Sequence, residues 1–362
     1  DHGTAFGKNN SVTGQYSTAM GVDTIASGVT SFAAGFTALA SGGNSVAMGN
    51  NATASATGAV AIGFNVTASG EKAFASGIDT VASGLASTAM GNDSEASGIT
   101  SFAAGKANIA SGNQSTAFGQ GSESSGNFSI SWGEGSQAIG DYSTAGGDSC
   151  EAKGNKSVAL GDQTLTEKDG GISLGTKTQS LDNYDVAIGD GAIAQGENSV
   201  SIGKDTNATG FKSMALVDSS VASGETSLAA GKAAAASGDA SVAIGNAAAS
   251  SGVSAIALGQ EAEAQGEGSA ALGFKAFAVG RNSVALGPES LANGEGSIAM
   301  GQGSSANGKY SVAIGSENDI VEDGGQGNVA IGNNNKVNDI AAAQPGDGNF
   351  ALGNSNTITG SV

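Results

Sequence analysis

The sequence predicts an all-β solenoid in which short strands wind into parallel coils of 14 residues. Three observations predict it. Glycine recurs in steps of 14 from Gly7 to Gly315, broken only at Val217. A second glycine series runs in the same step from Gly14 to Gly308 and fails only at Ala56, Lys168 and Asp182. Between the glycines, small and apolar residues alternate with period two, as in NSVAMG (44–49), NSVSIG (198–203) and NSVALG (282–287). With 61 glycines in 362 residues, chance would fill only a small share of these slots, so the period is a rule of architecture.

Each element follows from that period. Alternation over four to five residues, bounded by glycine turns, predicts a strand in each phrase and a second strand between phrases. A helix is excluded, because glycine at every seventh residue would cost about 1 kcal/mol each time and the apolar spacing does not follow 3.6. The coil is strand, turn, strand, turn, and neighbouring coils pair in parallel, each stabilised by the next. At about 4.8 Å per coil, about 22 coils would make a rod on the order of 100 Å long.

Two strands per coil enclose a narrow interior, which predicts small residues on the inner face. The sequence supplies them at Ser45 and Ala47 in the phrase and at Ala26, Ala40, Ala54, Ala68 and Ala82 on the other strand. The alternate positions carry larger apolar residues: Val46 and Met48, Val60 and Ile62, Val158 and Leu160, Val200 and Ile202, Val242 and Ile244, Val284 and Leu286, Val312 and Ile314. These point out of the roll, and so long an apolar stripe requires a partner along its length. A three-fold arrangement about a shared apolar axis is the economical solution, although periodicity alone also permits a dimer.

Composition agrees with a repeat protein. Aromatic residues make up 5% and charged residues 13% of the chain, so a conventional core of large side chains is not expected. A formal charge of -19 repels nucleic acid and anionic membrane. The single Cys150 excludes an intrachain disulfide framework, and no window holds the roughly 20 apolar residues of a membrane helix. The start DHGTAFG lacks the basic and apolar regions of a secretory signal.

The phrases NSVAMG, NSVSIG, NSVALG, KSVALG and YSVAIG, on a 14-residue step with ASG between them, resemble the YadA-like head of trimeric autotransporter adhesins. The resemblance runs from residue 3 to 315 and extends weakly through GNVAIG and GNFALG to 353. It implies a left-handed parallel β-roll assembled as a homotrimer, the exposed head of an outer-membrane-anchored bacterial surface fibre used in virulence. It also implies cell adhesion, with a matrix protein or cell-surface ligand as partner. The Val and Ile/Leu/Met slots given above become the trimer core, and the membrane anchor is expected outside this chain.

Along the chain, residues 1–315 form the regular head, with an irregular stretch at 162–185 where two turn glycines are lost and charges enter. Residues 316–362 continue the roll with loop insertions in SENDIVEDGGQ and KVNDIAAAQPGDG. The stretch from Ser17 to Gly35 returns from Ser87 to Gly105, five coils on, which indicates duplication of blocks.

Catalysis finds no support. The only histidine, His2, stands at the terminus, so no Ser-His-Asp or Cys-His site can be assembled in the body of the chain. The strings from Gly133, Gly189 and Gly301 match G-x-G-x-x-A, yet no helix follows them to receive a phosphate. No cofactor or metal is expected. Asp319, Glu322 and Asp323 in one insertion, and Asp169 in the irregular stretch, match no calcium-loop spacing and are expected to be solvated. Cys150 falls in a small inner column and is expected to be a buried thiol, and Trp132 falls in the large outer column with Ile62 and Leu160.

A candidate ligand surface lies four places after each first glycine, where Ile25, Leu39, Val81, Ile109, Ile193 and Val221 mix with Glu95, Glu123 and Glu151. Packing against a neighbouring subunit is the competing role of this column. The expected function is therefore adhesion by a multivalent trimeric head. The alternative is a structural spacer or phage-type fibre built on the same roll. An ice-binding rod is disfavoured because the outer columns lack a flat threonine array.

Overall fold

A computed structural model describes residues 2–321, 326–338 and 348–359. The chain divides into two units, Asp1–Asn183 and Tyr184–Val362. Within each unit a long strand and a short strand alternate, and every pairing is parallel. No helix occurs among the described residues.

In unit 1 the long strands run from Thr4–Lys8 to Ile172–Thr176 and the short strands from Ser11–Val12 to Gln179–Ser180. Each residue pairs with the one 14 places on, as in Val46↔Val60, Ala47↔Ala61 and Met48↔Ile62. The turns are tied together as well: Asp23 N–H donates to Lys8 O at 2.9 Å and Thr30 N–H to Gln15 O at 2.7 Å. Backbone groups at the turns are thus satisfied by neighbouring coils, which is what makes short strands stable here.

In unit 2 the long strands run from Val186–Asp190 to Phe350–Asn354 and the short strands from Ile193–Ala194 to Thr357–Thr359. The long strands shorten from five residues to three between Met214–Leu216 and Ile298–Met300, starting in the coil where Val217 replaces the turn glycine. Val217 has φ 78, a conformation that a β-branched residue adopts only under strain.

The core is a column of alanines. Ala19, Ala33, Ala47 and Ala61 from the long strands, and Ala26, Ala40, Ala54 and Ala68 from the short ones, are fully buried. Serine takes the remaining inner slot for a second reason besides size. Ser17 Oγ donates to Gly14 O and Ser157 Oγ to Gly154 O, both at 2.6 Å, capping the turn carbonyl three residues back.

Glycine serves two physical purposes. At Gly49, φ is +132 and an added Cβ would lie 1.9 Å from Gly63 O. At Gly42, φ is ordinary but a Cβ would lie 1.9 Å from Ala56 O. The second series therefore exists for close approach of stacked turns.

Three expectations need correction. The solenoid has about 24 turns, because strand pairs continue after the regular array, through Val329–Asn333 and Phe350–Asn354. Gly49 lies within the strand Val46–Asn50, and the chain reverses at Asn51, with φ 57, while Asn44, also at φ 57, makes the other turn. The irregular stretch 162–185 keeps its strands through Gln179–Ser180: Val158 pairs with Ile172 and Leu165 with Gln179. Charge and glycine loss there fall mainly at exposed or half-buried turn positions, while Asp185 takes the buried serine slot and accepts from Ser199 N–H at 2.8 Å and Ser199 Oγ at 3.0 Å. Much of the insertions after Gly315, including Glu322 and Asp323, lies outside the described residues.

Candidate interaction surfaces

The alternation that buries Ala47 sends its neighbours outward. On the long strand, Val46, Val60, Val158, Val200, Val242, Val284 and Val312 are half-buried, as are Leu160 and Ile314. Met48, Ile62, Ile202, Ile244 and Leu286 are exposed, at about two-fifths of their surface. Both positions recur in one column per unit, so each unit presents an unpartnered apolar stripe on its long-strand face.

The short strand presents the second column. Ile25, Ile109 and Val221 are exposed and Leu39, Val81 and Ile193 half-buried, with Glu95 exposed among them. The stacking register brings Ile25 against Leu39 and Glu95 between Val81 and Ile109, so the column is apolar with charged interruptions.

Aromatic residues add two stacked pairs in unit 1. Phe118 and Trp132 lie with ring centroids 6.2 Å apart and planes 13° from parallel, on the apolar stripe. Phe128 and Tyr142 stack at 4.8 Å and 4° on a turn edge, their spacing that of successive coils. His2 is exposed and its ring lies 5.7 Å from that of Tyr16.

Polar ladders run along the turns. Asn113 N–H donates to Asn127 Oδ1 at 3.2 Å, Asn127 N–H to Asp141 Oδ1 at 2.8 Å, and Asp141 N–H to Asn155 Oδ1 at 3.0 Å. Asn155 N–H then donates to Asp169 Oδ1 at 2.8 Å. Asp169 thus serves the ladder, and among the described residues no three His, Cys, Asp or Glu side chains are grouped to hold a metal. A second ladder, in unit 2, runs from the buried Asn318 and Asn335 to the exposed Asn356. Asn335 Nδ2 donates to Asn318 Oδ1 and Asn356 Nδ2 to Asn335 Oδ1, both at 2.9 Å. Sequence reasoning passed over both ladders, although their signal, Asn or Asp at one fixed offset from the turn glycines, was present.

Charges pair both within a coil and from coil to coil. Lys309 Nζ lies 2.8 Å from Glu295 Oε2, and their hydrogen bond raises the lysine pKa and lowers that of the glutamate. Lys153 lies 3.0 Å from Glu151 and 3.7 Å from Glu167, and the hydrogen bond to Glu151 is the main reason its pKa is raised. Cys150 is a fully buried free thiol whose Sγ lies 3.3 Å from Gly161 O.

A model of the YadA head domain repeat matches a succession of segments, many of them overlapping, from residues 1–24 to 292–318, over well more than half the chain. The chain belongs to the YadA head family. Membership makes it a head-type solenoid of the trimeric autotransporter adhesin kind, a surface-exposed class. Among the stretches between the matched segments are 132–151 and 207–221, which hold Trp132, Cys150 and Val217. No curated protein matches the chain. Among the described residues no helix is long and apolar enough to cross a membrane.

Proposed function

We propose that this chain is the adhesive head of a trimeric bacterial surface fibre, attaching cells to a matrix or cell-surface ligand. The observation that carries the reading is the combination of YadA head repeats over residues 1–318 with an unpartnered apolar stripe in each unit. Three left-handed rolls would bury the stripes of Val46, Met48 and their equivalents against one another. That leaves the short-strand column of Ile25, Leu39, Val81, Ile109, Ile193 and Val221 facing outward for ligand. Binding along it would be multivalent, so single substitutions weaken attachment modestly. No chemistry is assigned to the fold, and no cofactor is required.

Solid-phase binding of the purified chain to matrix proteins and to cells tests the adhesive role, and absence of retention on every surface would overturn it. Sedimentation tests the assembly: a monomer at micromolar concentration would show that the stripe does not mediate association.

A further inference from the structure

In unit 1 the two outward positions of each long strand exchange bulk from coil to coil. Most coils place a smaller residue first and a longer one second, as in Thr18 and Met20, Val46 and Met48, Thr88 and Met90. Three coils invert the order with an aromatic residue in first place: Phe32 with Ala34, Phe74 with Ser76, Phe102 with Ala104. Their neighbours in the ladder are not inverted, since Phe32 pairs with Thr18 and Val46, and Phe102 with Thr88 and Thr116.

A face open to water has no reason to conserve volume in each coil. A close-packed contact does, because it tolerates neither a void nor an added methylene. The heavy coil of Ile130 and Trp132 follows the same economy. It is succeeded by the lean coil of Thr144 and Gly146, and the indole lies over that glycine, where a Cβ would fall 2.1 Å from Trp132 Cε2.

The inverted coils also specify what covers them. A partner has to present a narrow position opposite each Phe, at spacings of three coils (74 − 32 = 42) and then two (102 − 74 = 28). A parallel second copy does so, because its own second position is Ala34, Ser76 or Ala104 on those same coils. Displacing one copy by any whole number of coils brings at most one Phe coil onto another and sets most of the rest against coils whose second position is large, such as Met48, Met90, Phe118 or Trp132. An antiparallel copy reverses the order of coils and matches at most two of the three.

We propose that the coils of Phe32/Ala34, Phe74/Ser76 and Phe102/Ala104 set the axial register of the assembly, the Phe of one copy filling the narrow slot of the next at the same level. This rests on the side-by-side association proposed above and names the residues that make it specific. A uniform Val/Ile stripe would favour association without selecting a register.

The test is a double-mutant cycle in the full chain with Phe74→Ser, Ser76→Phe and F74S/S76F, read by sedimentation and by thermal unfolding. Phe74→Ser alone leaves a void and Ser76→Phe alone overfills the coil, so each weakens self-association by about tenfold or more. The double variant restores large-against-small in mirrored form and returns to within about twofold of the unmodified chain. Additive losses in the double variant, or no loss in the singles, would overturn the register assignment while leaving association intact. A monomeric unmodified chain would instead overturn the association on which it rests.

Discussion

Gly42 and Gly43 are adjacent, and the structure assigns opposite outcomes to their replacement by alanine. At Gly42 a Cβ would meet Ala56 O at 1.9 Å and Ala56 C at 2.3 Å, so the stacked turns must part by more than 1 Å. That turn carries Ser41 N–H to Ala54 O at 3.0 Å, Gly42 N–H to Ala54 O at 3.3 Å, and Ser45 Oγ to Gly42 O at 2.7 Å. The next coil shows what yields. It has Ala56 at this place and keeps only the first of the two backbone bonds, Ser55 N–H to Ala68 O at 3.1 Å. One lost hydrogen bond, worth about 0.5–1.5 kcal/mol, plus residual strain predicts a loss of about 1–3 kcal/mol for Gly42→Ala. At Gly43 the nearest atom to a Cβ is Val29 O at 4.0 Å and φ is ordinary. There alanine removes unfolded-state entropy and adds about 0.4–1 kcal/mol. Thermal unfolding followed by circular dichroism should separate the two variants by roughly 2–5 °C, with hydrogen exchange locating the loss in the coils around residue 42. Equal effects of the two substitutions, or a more stable G42A, would refute the stacking argument.

Other expectations follow from single positions. Val217→Gly relieves a β-branched residue at φ 78 and should raise stability by about 0.5–1 kcal/mol after glycine's own entropic cost; a lower melting midpoint would contradict the strain. Asn335→Ala removes the group that bonds Asn318 Oδ1 and Gly353 O, and should cost about 2–4 kcal/mol in thermal unfolding. Cys150 should resist thiol reagents in the native chain and react on denaturation, and C150S should be nearly neutral because Ser136 and Thr164 occupy the same column. The Glu295–Lys309 pair lowers the glutamate pKa, so its contribution is present above the ordinary carboxylate range and is lost as pH falls through the lowered value. Both residues are exposed, so comparison with Glu295→Gln should show a small effect that added salt removes.

Much of this molecule is legible in its sequence because each coil solves the same local problem. Ala47 is small because its inner position leaves room for nothing larger, and Val46 beside it is large because it points out; period two states both. The column of Cys150 was legible for the same reason. The roles of individual glycines were not, since Gly42 and Gly43 look alike until the distance to the next coil is known. The Asn ladders left a signal in the sequence, a fixed offset from the turn glycines, but which atoms bond between Asn113 and Asn127 was decided only by the stacked coils. Asp169 illustrates the difference: as a letter it belonged to a charged irregular stretch, and in space its carboxylate completes a backbone ladder.

The sequence by itself determined the period, the strand faces, the alanine interior and the family, because all four depend on spacing along one chain. Only the tertiary structure decided that the 162–180 stretch stays in register, that Ser17 and its equivalents cap turn carbonyls, and that Trp132 lies over Gly146. Those features depend on what the neighbouring coil places within a few ångströms, and a 14-residue repeat fixes the neighbour's position only after the coils have stacked.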